Sequence, residues 1–80
     1  MVVTSANQLA VTVREHRKIE RLSQAEVADR VGLRQETISA FENQPDRTKL
    51  DTLFRILSAL NLEIHVVPRG TKSSSWDREW

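Results

Sequence analysis

The feature that most constrains this chain is the spacing of small, polar and apolar residues in the stretch SQAEVADRVGLRQETISAFEN, residues 23–43. Ser23 precedes Glu26 by three residues, which is the pattern of a capping box at the start of a helix. Gly32 can take the left-handed conformation that ends such a helix near Val31. A second helix is then predicted to follow after a short bend.

The apolar residues of this stretch can face one core if two helices cross at that bend. Ala28 is small enough for a close approach, and Ile38 and Phe41 recur at helical spacing in the second helix, predicted over residues 35–43. The inward-facing set is Val27, Ala28, Val31, Leu33, Ile38 and Phe41. This spacing is typical of a helix-turn-helix, whose second helix enters the major groove of DNA.

The polar residues of the second helix then form an outward face. Arginine can make two hydrogen bonds to guanine, glutamine can bond adenine, and glutamate can accept from cytosine. The positive end of the preceding helix suits a phosphate. The candidate DNA-binding residues are Ser23, Gln24, Arg34, Gln35, Glu36, Thr37, Ser39, Asn43 and Lys49. The alternative is an ordinary solvated polar face, which the joint spacing of the core residues disfavours.

Two further helices are predicted on either side of this pair. Thr4 or Ser5 can cap a first helix that runs to about Glu20. Thr48, with Asp51 three residues later, is predicted to form a capping box for a fourth helix. Its apolar stripe is expected in the core, with an extension into a dimer interface left open: Leu50, Leu53, Phe54, Leu57 and Leu60.

Beyond the fourth helix the hydrophobic pattern changes to alternation. In LEIHVV the apolar residues Leu62, Ile64 and Val66 alternate and Pro68 closes the run, so residues 62–67 are predicted to form a short strand. The sequence offers no second strand, and an unpaired strand leaves backbone groups without partners. The simplest partner is the same segment of a second copy. The candidate dimerisation residues are Leu62, Ile64, His65, Val66 and Val67.

Composition narrows the class of protein. The chain has 80 residues, so one domain is expected. It has no cysteine, so neither a disulfide nor a thiolate-bound metal can stabilise the fold. His16 is expected to be a packed residue and not a metal ligand. No nucleophile–base pair or glycine-rich phosphate loop is apparent, so no enzyme, cofactor or small-molecule ligand is expected. No apolar run approaches the ~20 residues of a membrane span, and no signal peptide is apparent, so a cytoplasmic protein with no membrane partner is expected.

Together these signals predict a mainly α fold of four or five helices, with one short C-terminal strand that pairs across a dimer. The helix-turn-helix domain is placed in residues 1–61, the dimerisation strand in residues 62–68 and a flexible polar tail in residues 69–80. The tail carries Trp76 and Trp80. A polar tail has no internal reason to carry two tryptophans, so they are candidate anchors for a partner protein.

The sequence LSQAEVADRVGLRQETISAFEN resembles the Xre/Cro-type, lambda-repressor-like helix-turn-helix repressors, and the resemblance extends over about residues 8–62. More narrowly, GLRQETISAFEN, PDRTKLDTLFRILSALNLEIHV and the terminal EW resemble the HipB antitoxins of HipBA toxin–antitoxin modules. The resemblance implies a homodimer with paired C-terminal strands, autoregulation through a palindromic double-stranded operator, and binding to HipA, a serine/threonine kinase toxin. It also implies that the tail contacts the toxin, and that Arg17 forms an ion pair with Glu42.

Two positions depart from the repressor pattern. Arg21 stands where these repressors commonly have glycine, and a non-glycine residue at positive φ costs ~1 kcal/mol, so that turn is expected to be built differently. Glu36 adds an acid to the outward face of the second helix, which we call the reading face. The operator sequence of related repressors is therefore not assumed for this chain. Two other functions stay open: a stand-alone phage-type repressor with no toxin partner, and a protein-interaction adaptor that keeps the fold without binding DNA.

Overall fold

The computed structural model describes residues 2–69. Its helices are α1 Ala6–Ile19, α2 Gln24–Arg30, α3 Gln35–Asn43 and α4 Leu50–Ala59, with a 3-10 turn at Pro45–Arg47. The predicted mainly α fold is confirmed, and none of the described helices is long and apolar enough to cross a membrane. Residues 62–68 take no regular secondary structure in the single chain. Strand pairing needs a second chain, so the predicted strand stays a prediction.

The core lies where all the α-helices meet. In the helix-turn-helix segment Val27, Ala28, Ile38 and Phe41 are buried, and Val31 and Leu33 pack half-buried against them. The inward-facing set predicted from the spacing is therefore confirmed. The other helices complete the core with Ala10, Val13, Leu53, Ile56, Leu57, Ala59 and Leu60. His16 is not fully packed: its side chain is 32% exposed, and its Nε2 lies 3.6 Å from Oε1 of Glu20.

Some of the helices begin with a side-chain cap and others do not. The hydroxyl of Ser5 accepts from the backbone N–H of Gln8, and Ser23 forms the predicted capping box with Glu26. The predicted capping box for α4 is wrong. The backbone N–H of Thr48 closes the 3-10 turn on the carbonyl of Pro45 at 3.1 Å. The helix therefore begins one residue later, with Lys49 as an N-cap that makes no side-chain hydrogen bond.

The apolar stripe of α4 lies only partly in the core of one chain. Leu53, Leu57 and Leu60 are buried as predicted, but Leu50 and Phe54 are 70% and 53% exposed. These two residues are one turn apart at the edge of the apolar face, which is wider than the core of one chain can cover. α4 instead completes the core with the two buried residues Ile56 and Ala59 named above.

Three helices end in the same way. After each, one residue takes a left-handed backbone conformation, and the following leucine returns its N–H to a carbonyl five residues earlier, as in a Schellman motif. The left-handed residues are Arg21 (φ 59°), Gly32 (φ 66°) and Asn61 (φ 56°). The hydrogen bonds run from Leu22 to Arg17 at 3.1 Å, from Leu33 to Ala28 at 2.9 Å and from Leu62 to Leu57 at 2.9 Å.

Arg21 therefore occupies the same conformation as glycine would. The expectation that its turn is built differently is wrong, because the flanking contacts hold the backbone in place. The N–H of Arg21 donates to the carbonyl of Lys18, and Leu22 packs half-buried against the core. The hydrophobic contact of the residue after the turn is a regular part of this helix ending, and it offsets the strain at Arg21.

Candidate nucleic-acid interface

The outward face of α3 carries most of the predicted reading residues. Arg34 is the N-cap of the helix, and its side chain makes no capping hydrogen bond. Gln35 and Asn43 are exposed, and Ser39 is half-buried between them. The Nδ2 of Asn43 lies 3.3 Å from Oγ of Ser39. Since residues four apart stack on one helix face, the three form one polar row, with exposed Glu36 beside it.

Two residues of α3 differ from the predicted face. Thr37 is half-buried and lies on the flank, between the outward face and the core. Ala40, which the sequence reasoning did not select, is exposed on the outward face one turn after Glu36. Its spacing from Glu36 is the signal that could have identified it. An alanine methyl can contact the methyl group of thymine.

The helix starts near this face supply the candidate phosphate contacts. Ser23 is exposed, but its backbone N–H and its hydroxyl are both engaged with Glu26, at 2.9 and 3.0 Å. The hydrogen bond from the backbone N–H of Ser23 foremost, and then the Ser23 hydroxyl and the positive charge of Arg30, hold the pKa of Glu26 below its usual value. Lys49 and Arg34, by contrast, place a cation at helix starts that carry no side-chain cap. Uncapped amide groups and a cation favour an anion.

A part-buried ion pair lies directly behind the reading face. Nε and Nη2 of Arg17 donate to the two carboxylate oxygens of Glu42, at 2.7 and 3.0 Å. The remaining Nη1 donates to the carbonyl of Leu22 at 2.8 Å. The side chains of Arg17 and Glu42 are only 11% and 5% exposed. The structure thus joins the end of α3 to the end of α1.

Two glutamines extend this pair to the surface. Nε2 of Gln24 donates to Oε1 of Glu42 at 3.0 Å, and Nε2 of Gln35 donates to Oε1 of Gln24 at 2.5 Å. Burial alone would raise the pKa of Glu42, but the hydrogen bonds from Arg17 and Gln24, with the positive charges of Arg17 and Arg14, hold it below its usual value. Glu42 is therefore a carboxylate at neutral pH.

The candidate dimerisation residues lie at the other end of the chain. Ile64, Val66 and Val67 are exposed, whereas Leu62 packs half-buried on the core. His65 is exposed, and its Nε2 lies 2.6 Å from Oε2 of Glu63. The candidate toxin-binding residues Trp76 and Trp80 lie outside the described residues. Within residues 2–69 no group of three or more histidine and acidic side chains could hold a metal ion.

The crossed pair α2–α3, with a polar outward face on its second helix, defines a helix-turn-helix protein. The family model for helix-turn-helix proteins matches residues 13–67. The chain is 42% identical to Antitoxin HipB of Escherichia coli O6:H1 over 82 residues, which covers 98% of this chain and 87% of that protein. The chain therefore belongs to the HipB antitoxin family of helix-turn-helix proteins.

Solved structures agree with this membership. A structure described as a HipB–O4 20mer complex superposes with a TM-score of 0.84 at 38% identity, covering 86% of this chain and 97% of that one. A HipA–HipB–O2–O3 complex gives the same TM-score, identity and coverage. The likeness thus extends over nearly the whole length of each related chain.

Proposed function

We propose that this chain is a sequence-specific DNA-binding autorepressor and an antitoxin that binds a HipA-like serine/threonine kinase toxin. The observation that carries the proposal is the outward face of α3, where Arg34, Gln35 and Glu36 are exposed at the start of a helix held on a buried core. The relatives support it, since HipB structures are described as complexes with an O4 20mer and with HipA. The protein acts in the cytoplasm and is not an enzyme.

The proposed division of labour on DNA follows from side-chain chemistry. Arg34 suits the two acceptors of guanine, Gln35 the donor–acceptor pair of adenine, and Glu36 the amino group of cytosine. Ser39 and Asn43 extend the same row toward the end of α3. Lys49 contacts phosphate and fixes the position of the helix without reading the sequence.

A palindromic operator requires two copies of α3 at a fixed distance. The proposed dimer pairs residues 62–67 of each chain as antiparallel strands across a twofold axis. Exposed Ile64, Val66 and Val67 support it, because apolar side chains in a row favour burial. Its two copies of α3 are expected about one turn of DNA apart, roughly 34–36 Å, or a multiple of that distance.

The reading face is tested with a matched pair of variants. A duplex is first selected from a random library with the wild-type protein. Arg34→Ala should reduce discrimination between that duplex and random DNA by ~1–3 kcal/mol. Lys49→Ala should weaken binding to both DNAs evenly. Wild-type discrimination in Arg34→Ala would contradict the assignment of the face. Ser23→Ala is a less clean test, because it also removes a helix cap worth ~0.5–2 kcal/mol.

The antitoxin role is tested with the tail. The proposal assigns Trp76 and Trp80 to kinase binding, since an aromatic anchor can carry ~2 kcal/mol or more of an interface. Deleting residues 78–80, or Trp80→Ala alone, should weaken binding to a purified HipA-like kinase and leave DNA affinity nearly unchanged. No binding of the full chain to the kinase would favour a stand-alone repressor. Kinase binding without any DNA binding would favour an interaction adaptor.

A further inference from the structure

The hydrogen bonds behind the reading face form one chain in which every donor points toward Glu42. They run from Arg17 to Glu42, from Gln24 to Glu42 and from Gln35 to Gln24, and only the last member is at the exposed surface. Glu42 as a carboxylate can only accept hydrogen bonds. An amide side chain between a carboxylate and another amide must therefore turn its NH2 group toward the carboxylate.

This requirement passes from one amide to the next. Because the NH2 group of Gln24 points to Glu42, its carbonyl oxygen faces Gln35. Gln35 must then direct one N–H inward to that oxygen. It is left with its own carbonyl oxygen and one N–H for an outside partner. The charge of Glu42 thus sets which groups Gln35 presents at the surface.

The presented groups distinguish two purines. Adenine offers N7 as an acceptor and N6–H as a donor, which matches one N–H and one carbonyl oxygen. Guanine offers two acceptors, N7 and O6, which match an NH2 group with both N–H directed outward. A reversed Gln24 would turn the carbonyl of Gln35 inward and its NH2 group outward. The two orientations of the amide chain therefore fit different bases.

We propose that Glu42 is a positioning residue for specificity, which fixes Gln35 as a reader of adenine against guanine through the amide of Gln24. The inference rests on the proposed function for its DNA readout, and it assigns to the Arg17–Glu42 pair a role beyond holding α3 in place. Glu42→Gln removes the restriction to accepting, because an amide can either donate or accept. Gln24 and Gln35 are then free to reverse together.

The experiment measures base preference position by position. The probe is the duplex that full-length wild-type protein selects from a random library, together with duplexes that carry one changed base pair each. At the position read by Gln35, identified as the one whose preference Gln35→Ala abolishes, the wild type should prefer adenine over guanine by roughly 5- to 150-fold. In Glu42→Gln that ratio should fall about 5-fold or more, and ratios at the other positions should not change.

Two controls separate this role from structure and charge. Glu26→Gln makes the same charge change at a carboxylate that bonds to Ser23 and not to the amide chain, so its purine ratio should stay at the wild-type value. Gln24→Met keeps the ion pair but removes the relay, that is, the two amide hydrogen bonds that link Glu42 to Gln35. Its purine ratio should therefore fall as in Glu42→Gln. This variant still tests the proposal if Glu42→Gln folds poorly. An unchanged ratio in folded Gln24→Met or Glu42→Gln, or an equal loss at every position, overturns the proposal.

Side-chain amide resonances of the DNA-free protein keep the inference separate from the proposed function. In Glu42→Gln the NH2 signals of both Gln24 and Gln35 should shift, because Gln35 is linked to residue 42 through Gln24. A shift confined to Gln24 overturns the relay. If the wild type selects no duplex, the proposed DNA binding fails, while the resonances still decide whether the relay exists.

Discussion

Phe41 and Phe54 are the two phenylalanines of the chain, and their surroundings differ sharply. Phe41, on α3, is 1% exposed inside the core, whereas Phe54, on α4, is 53% exposed. Phe41 lies in the core with buried Val27, Ala28 and Ile38. Around Phe54 apolar side chains remain in solvent. No large apolar side chain is exposed in residues 23–43, the complete half of this comparison, whereas five are exposed in the incomplete half, which begins with α4.

The incomplete half exposes several large apolar side chains. The exposed large apolar residues of α4 and the segment after it are Leu50, Phe54, Ile64, Val66 and Val67. Phe54, Leu62 and Ile64 line a shallow open groove between α4 and this segment. Burying such residues is worth ~25 cal/mol for each Å² of apolar surface removed from water. One side of the core is therefore finished within one chain, and we expect a second chain to cover the exposed apolar residues of the other side.

Replacing Phe41 by alanine should destabilise the protein most, and the same replacement at Phe54 is the matched comparison. Phe41→Ala should lower the free energy of unfolding by ~3–5 kcal/mol, because it leaves a cavity in the core. Phe54→Ala should leave the fold of the monomer intact and weaken the dimer. Urea unfolding at several protein concentrations separates the two effects. Equal losses of monomer stability would remove the distinction between the halves.

A comparable loss is expected from breaking the ion pair of the complete half. Arg17→Met leaves the carboxylate of Glu42 buried without its cation, which costs ~3–5 kcal/mol at neutral pH. The double variant Arg17→Met with Glu42→Leu should recover much of this loss, since no charge is then buried. The measurement is the free energy of unfolding of the three proteins. No recovery in the double variant would show that the loss comes from packing.

Glu42 makes the free energy of unfolding depend on pH, and Arg17→Met should reverse the direction of this dependence. In the wild type the pKa of Glu42 lies below its ordinary value of 4.5. As the pH falls the unfolded chain is protonated first, so this contribution to stability is present above about pH 4.5 and is lost as the pH falls through the lower folded pKa. In Arg17→Met burial raises the pKa of Glu42, so acid should relieve the loss. Unfolding measured from pH 7 to pH 3 checks both directions.

A smaller effect tests the proposed strand pairing in the incomplete half. In an antiparallel pair of strands only alternate residues direct their N–H groups at the partner strand. Ile64→Pro and His65→Pro should therefore differ: one removes a hydrogen bond between strands, and the other removes an N–H that faces solvent. Sedimentation equilibrium measures the dimer dissociation constant of each. A folded wild-type monomer at high concentration would contradict the dimer itself.

The smallest expected effect lies at the helix ends. Arg21→Gly relieves the cost of a left-handed residue, ~1–2 kcal/mol, but gives more freedom to the unfolded chain, at ~0.4–1 kcal/mol. The difference predicts a net gain between about 0 and 1.6 kcal/mol. Asn61→Gly should gain less, because asparagine tolerates this conformation. Thermal unfolding of both variants checks the order, and a destabilised Arg21→Gly would show that the arginine side chain itself supports the turn.

Sequence reasoning succeeded where the determinants lie within a few residues of one another. Ser23 and Glu26 define the start of α2, Gly32 defines its end, and helical spacing places Ile38 and Phe41 in the core. It failed at Thr48, because the preceding proline favours a 3-10 turn that uses the same backbone N–H. Periodicity alone also does not tell how much of an apolar face one chain can cover, so it could not divide the α4 stripe between the core and a dimer interface.

The hydrogen bonds that join Glu42, Gln24 and Gln35 could not be predicted from the sequence, for a different reason. Gln24 and Glu42 are 18 residues apart, and Gln24 and Gln35 are 11 apart. Polar residue types state which hydrogen bonds are available but not which partners the fold brings within 3 Å. Only the packing of α2 against α3 brings these three side chains into one line.

The repeated helix ending, with a left-handed residue and a returning leucine, has a consequence for the lifetime of the protein. Each of these turns is completed by residues within six consecutive positions. Small helical domains dominated by such local contacts fold in microseconds to milliseconds. Fast closing means that a protease samples the chain only in brief openings. Degradation then follows the equilibrium fraction of open molecules and not the rate of unfolding, so a partner that binds only the closed form lowers the degradation rate in proportion to the fraction of molecules left unbound.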